Sequence, residues 1–239
     1  MNTRMTTILL IVTAFITTLL PISPARSAKK EKTWDYVILG SSIGTWGWTE
    51  YYGDYIKNDL GVTIVRHDYF MPTQMASMLL ENLQNEEKLR DDIVNAEVIT
   101  IGIGFADMDT ILYYPPHRIN EELKTFKETY DAILSEILHL NNSTDTIIRV
   151  MDFYCPYVKY HKELGIYEDT KRYWMEFNKC IVEVAEKHSI PVARVFKAMN
   201  GIHSDDDPQE KGYVVPGGKN LTDEGYKVVA KLFRELGYD

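Results

Sequence analysis

Short apolar runs alternate along the chain with longer stretches in which apolar residues recur every three or four positions. Residues 36–39, Tyr-Val-Ile-Leu, are strand formers that stop at Gly40, the pattern of a buried strand ending in a turn. Trp48, Tyr52, Tyr55 and Ile56 then recur at helical spacing up to Gly61, a residue suited to a helix end. Such an aromatic stripe fits a core face better than a ligand surface. A second strand is expected over 62–65, with His67 and Asp68 just past its end, then helices over 75–83 and 85–95. Residues 98–103 read as a third, fully apolar strand. Leu123, Phe126, Tyr130, Ile133, Leu134 and Ile137 mark a long amphipathic helix. A fourth strand is predicted at 146–151, followed by a loop carrying Cys155, Pro156 and His161. Trp174, Phe177, Ile181 and Val184 set the next helix, and 191–195 a short fifth strand. After a long loop, 201–220, Tyr226, Val229, Phe233 and Leu236 form a closing helix, with Asp223 and Glu224 in its first turn. Five strand–helix alternations without internal repeats predict one α/β domain, a parallel sheet covered on both faces. Ligands of such sheets bind at the carboxyl ends of the strands.

Residues 1–28 stand apart from this pattern. Arg4 precedes an apolar run that Pro21 breaks, and Ala25-Arg26-Ser27 offers small residues at the cleavage positions of a secretory signal. The expectation is a cleaved signal peptide over 1–28, a domain over 29–239, and a secreted or extracytoplasmic protein. The rival is an uncleaved anchor, because residues 5–22 approach the ~20 apolar residues that cross a bilayer. The chain of 239 residues carries a net charge of −9, more negative still if Arg4 and Arg26 leave with the leader. That charge argues against nucleic acid or anionic lipid as partners. Export permits a disulfide, and Cys155 with Cys180 is the only pair the chain can form; two free thiols are the alternative.

Candidate chemistry concentrates at strand ends. Gly40-Ser41-Ser42-Ile43-Gly44 fits Gly-x-Ser-x-Gly between a strand and a helix. There a serine hydroxyl stands exposed at a sharp turn, with helix-start amides near an oxyanion. Small residues also fill ordinary turns of this kind, so the motif alone leaves Ser42 either a nucleophile or a turn residue. Gly102-Ile103-Gly104-Phe105-Ala106-Asp107 is no dinucleotide fingerprint, because Asp107 stands where glycine is required. Gly217-Gly218-Lys219 is no phosphate loop, since Tyr213 and Asn220 break the pattern. No metal motif is recognisable.

Taken together, Gly40-Ser41-Ser42, Gly104-Phe105-Ala106-Asp107 and Leu221-Thr222-Asp223-Glu224-Gly225 resemble the blocks of the SGNH (GDSL-type) hydrolases. The resemblance covers about residues 34–236. It implies a three-layer α/β/α fold with strand order 2-1-3-4-5, as in flavodoxin, no cofactor, and ester hydrolysis by a serine. Esterases, lipases and carbohydrate deacetylases share it, so a small ester or acylated carbohydrate is the implied substrate. Ser42 takes the nucleophile's position. The oxyanion-binding asparagine is replaced by Ala106, and the second block's glycine has no counterpart between Gly61 and Gly102. The catalytic aspartate and histidine fall at Gly217 and Asn220. Since a serine hydroxyl needs an adjacent base, His203, in the same long loop, is the candidate substitute; its alternative is a solvated residue beside 205–207. Two functions stay open: a serine ester hydrolase with a rearranged base, and a catalytically inactive relative that binds a glycan or acylated ligand.

Overall fold

The computed structural model describes residues 32–239; the signal segment expected over 1–28 lies outside them. Within the described residues, five parallel strands form one sheet in the order β2-β1-β3-β4-β5, the order the resemblance implies.

The interior strand β1 (Thr33–Ser41) runs beside the edge strand β2 (Thr63–Met71) over its whole length. On its other side lies β3 (Val98–Gly102), which pairs in turn with β4 (Ile147–Met151). Val98–Gly102 and Ile147–Met151 are buried throughout, as strands covered on both faces must be. The last strand, β5 (Val192–Ala193), has shrunk to two residues. The edge strand outruns the expected 62–65. His67 therefore lies within it, at the level of Val37, and does not reach the carboxyl edge. Its ring is held between Asp35 and Asp92, at 2.7 and 3.1 Å.

Helices surround the sheet. A short α1 (Ser42–Thr45) leads into α2 (Trp48–Leu60), and the break between them falls at Gly47, φ +79°. A Cβ at Gly47 would lie 2.4 Å from the Tyr226 ring, so only glycine fits this junction. Beyond β2 come α3 (Ala76–Asn85) and α4 (Glu87–Asn95). After β3 the chain forms α5 (Phe105–Ile111) and α6 (Pro116–Leu140), the latter longer than its apolar stripe and opened by proline at its first position. Three short elements had no clear periodicity: α5, α7 (Val158–Glu163) and α9 (Val195–Asn200). Between the last two runs α8 (Tyr167–Lys187), and α10 (Asp223–Glu235) closes the chain. Trp48 of α2 stacks on Phe233 of α10, 4.2 Å between ring centres, which ties the first helical turn of the fold to the last.

The expected disulfide is absent: Cys155 and Cys180 are both free. Helical rotation explains it. Asn178 points at the loop after β4, exchanging two hydrogen bonds with the backbone of Phe153 at 2.8 and 2.7 Å. Two residues further on, about 200° around the helix, Cys180 faces α6 and the carbonyl of Leu123. Cys155 is held elsewhere, its backbone bonded in both directions by the Asn200 side chain at 2.9 Å.

No helix among the described residues is long and apolar enough to cross a membrane.

Candidate active site

The carboxyl ends of β1 and β3 are pressed together by glycine. A Cβ at Gly44 would sit 1.8 Å from the Gly102 carbonyl oxygen, and one at Gly40 2.2 Å from it. A Cβ at Gly102 would sit 1.9 Å from the carbonyl of Gly44. No side chain fits, so the glycines of Gly-x-Ser-x-Gly are required by backbone contact with β3. This contact sets Ser42 at the first position of α1, at the carboxyl edge of the sheet. Thr45 secures the turn by donating from Oγ1 to the Ser41 carbonyl at 2.8 Å.

Ser42 opens onto a cavity of about 340 Å³, which Ala106, Lys219 and Asn220 also line. The three segments that carry the family resemblance thus meet at one place. Thr73, on the loop after β2, completes the rim. Its φ is +56°, a left-handed conformation rarely adopted by a β-branched residue. Pro72 and Thr73 form the corner of a turn closed by Gln74 N–H donating to the Met71 carbonyl at 3.3 Å. The buried Gln74 side chain returns the bond, accepting from Met71 N–H at 3.2 Å. A turn of this type ordinarily places glycine at Thr73's position. This loop lies within the stretch between Gly61 and Gly102 that has no glycine.

The retained family residues have identifiable structural work. Buried Asp107 accepts from the Ala76 N–H at 3.0 and 3.2 Å, capping α3 from α5. Burial pushes its carboxyl up to about 6, against the opposing pull of that amide. Leu221 is buried and bridges Val214. Thr222 is the N-cap of α10, accepting from Gly225 N–H at 3.2 Å. A Cβ on Gly225 would meet the Tyr213 carbonyl at 2.1 Å. The loop before them is organised by Gln209, which donates to the carbonyls of Pro156 and Gly218 and accepts from Gly217 N–H.

Two of the three replaced residues, Ala106 and Asn220, lie at the chemistry. Ala106 presents a methyl group and Asn220 an amide to the Ser42 cavity. Among the described residues, no histidine lines that cavity and no side chain hydrogen-bonds the Ser42 hydroxyl. The expected substitute, His203, is exposed beside Asp206 and lines none of the cavities described here; the structure does not bring it to Ser42. Gly217 also stays off the cavity wall, at φ +70°.

Sequence reasoning missed Lys219 and Asp109. Their side chains pair across the cavity, Nζ to Oδ2 2.8 Å, and Lys219 Nζ lies 5.7 Å from the centre of the Phe105 ring. The signal was available: Lys219 immediately precedes the position of the missing histidine, and Asp109 follows Ala106 by about one helical turn. From the sequence, His161 falls in the loop after the fourth strand, on the Ser42 side of the sheet, but ranks behind His203 as a base. It is buried on α7 and lines a neighbouring cavity that also contains Lys219 and Asp109. Burial lowers its pKa, and its buried Nδ1 has no hydrogen-bond partner among the described residues.

Sheet order, layer arrangement and the position of Ser42 define an SGNH (GDSL-type) hydrolase fold. Solved structures agree. The chain is similar to a lipase from a goat rumen metagenome, with TM-score 0.70 and 19% identity over 86% of this chain and 98% of that one. An acetylxylan esterase from Geobacillus stearothermophilus matches with TM-score 0.63 and 14% identity, over 87% and 96% of the two chains. A lipase/acylhydrolase from Enterococcus faecalis matches with TM-score 0.60 and 17% identity, over 85% and 95%. The chain matches no protein-family model and no curated protein sequence.

Proposed function

We propose that the Ser42 cavity is a binding site for a small acylated carbohydrate, descended from an ester-hydrolase site and feeble in hydrolysis. One observation carries this: Ser42 shares its cavity with Ala106, Asn220 and a Lys219–Asp109 ion pair, and with no histidine. A serine hydroxyl without a base is a poor nucleophile. Lys219 is engaged by Asp109 at 2.8 Å and makes no hydrogen bond to Ser42. Loss of a triad member typically costs on the order of 10⁴-fold in rate. Loss of an oxyanion donor costs roughly 10²–10³-fold. The fold and the cleft remain, and binding needs neither base nor oxyanion donor.

The ligand class is supported by the similar structures that are acetylxylan esterases and by a cavity whose lining mixes apolar side chains with Thr73, Thr110 and Asn220. The signal segment expected over 1–28 agrees with a ligand met outside the cytoplasm. A hydrolase with a rearranged base is the second reading. It is supported by the survival of Ser42 and by His161 in the next cavity, whose pKa burial lowers.

Calorimetric titration with a short acetylated xylo-oligosaccharide, with acetate release followed in the same samples, separates the two. Binding without Ser42-dependent acetate release is expected. Rapid release that Ser42→Ala abolishes would establish the hydrolase instead. Absence of both binding and release would dismiss a carbohydrate ligand altogether.

A further inference from the structure

Three neighbouring cavities share lining residues in turn. The Ser42 cavity, about 340 Å³, meets one of about 460 Å³ at Lys219 and Asp109, which line both. The second meets a third, of about 360 Å³, at Tyr157 and Tyr160, again shared. We propose that the three form one groove for a linear, uncharged oligosaccharide, of which only the acylated unit sits at Ser42. This rests on the binding site proposed at Ser42 and extends it from a single sugar to a chain.

The walls match sugar. Tyr113, Tyr157 and Tyr160 line the groove beyond the ion pair, and Tyr113 and Tyr160 are 85% and 57% exposed. An aromatic ring with an apolar face and a polar tip suits a pyranose, which has apolar C–H faces and a polar rim. Among the described residues, no hydrogen bond uses the Tyr113 or Tyr160 hydroxyl. His161 also lines the second cavity, beside Tyr157 and Tyr160. The charges are already matched: Lys219 with Asp109 at 2.8 Å, Lys159 with Glu210 at 3.1 Å. Asp207 is taken up by the amides of Lys159 and Gln209, both at 2.7 Å. Glu163 remains, and a surplus carboxylate repels an anionic glycan. A long acyl chain would need a continuous aliphatic wall, and the second cavity offers Leu112 and Ile166 only.

The test is calorimetric titration with acetylated xylo-oligosaccharides, from the disaccharide to successively longer chains, beside the same chains deacetylated. Affinity is expected to rise with length by roughly tenfold or more. Tyr113→Ala and Tyr160→Ala should weaken the longest chain roughly five- to tenfold more than the disaccharide. Both side chains are exposed, and an unchanged melting temperature confirms that the variants are folded. Equal affinity at every length, with the disaccharide still bound, overturns the groove and leaves the Ser42 site standing. Long chains bound equally well with and without acetate, and no disaccharide bound, support the groove and remove the acyl site. If no chain of any length binds, both proposals fall.

Discussion

Asp107 looks, in sequence, like a remnant of catalysis, and in the structure it is the buried cap of α3. Its environment gives stability a pH dependence. The carboxyl is pushed up from 3.8 to about 6, mainly by burial. A group whose folded pKa is raised contributes stability that is full below its unfolded value and is lost as pH rises through the folded one. The window is therefore about pH 3.8 to 6, and the magnitude about 3 kcal/mol. Asp107→Asn, which keeps an acceptor for Ala76, should gain on the wild type across that window and hold a constant offset above it. Urea unfolding at a series of pH values measures this; parallel stability curves would contradict it. The glycines make a second prediction. Gly44→Ala places a methyl 1.8 Å from the Gly102 carbonyl and must wedge α1 from β3. Overpacking typically costs about 1–3 kcal/mol, and a clash with backbone belongs at or above that upper end. Gly217→Ala meets nothing within 4 Å and suffers only its φ of +70°, for roughly 1–2 kcal/mol. Denaturant midpoints should rank the two in that order, and the reverse ranking would refute the close approach.

Among the elements, those buried on both faces were legible and the rest less so. Residues 98–103 and 146–151 gave β3 and β4 nearly to the residue, because a strand covered on both sides must be apolar throughout. The edge strand β2 was cut short at Val65: Arg66, His67 and Asp68 face half-exposed surroundings, yet pair with Tyr36, Val37 and Ile38 through backbone alone. Short helices such as α7 and α9 offer too few turns for a periodicity to show. The same limit hid His161, because what read as a loop residue is a helical one turned toward a cavity. A cysteine pair carries no information on helical phase, and phase is what separates Cys155 from Cys180. Thiol titration of the denatured, unreduced protein should accordingly find both cysteines reactive. In the native protein, Cys180 should react first. Burial pushes Cys155 up to about 12, while Cys180 is only partly covered. A denatured chain with no reactive thiol would restore the disulfide.

At the scale of the whole molecule, losses and retentions sort by position, with Gly217, off the cavity wall, the exception. Gly40, Gly44, Asp107, Leu221, Thr222 and Gly225 maintain backbone contacts, a buried bridge or helix caps. Ala106 and Asn220, which replace functional types, line the cavity itself. The sequence blocks were enough to bring Ser42, Ala106 and Asn220 together. They were not enough to show the Lys219–Asp109 pair, which depends on side-chain reach across a distance of 110 residues in the chain. The central claim is that the cleft lacks a base, while its backbone could still carry one. It is tested most directly by turnover of a short-chain aryl ester by the wild type and by Asn220→His with Gly217→Asp and Ala106→Asn, each with and without Ser42→Ala. Aspartate tolerates the left-handed conformation of Gly217 better than most residues, and open space awaits its side chain. The expected result is wild-type turnover no higher than its Ser42→Ala control. The triple variant should rise on the order of 10²-fold or more, and lose that gain when Ser42 is removed. Efficient, Ser42-dependent turnover by the wild type would contradict the account.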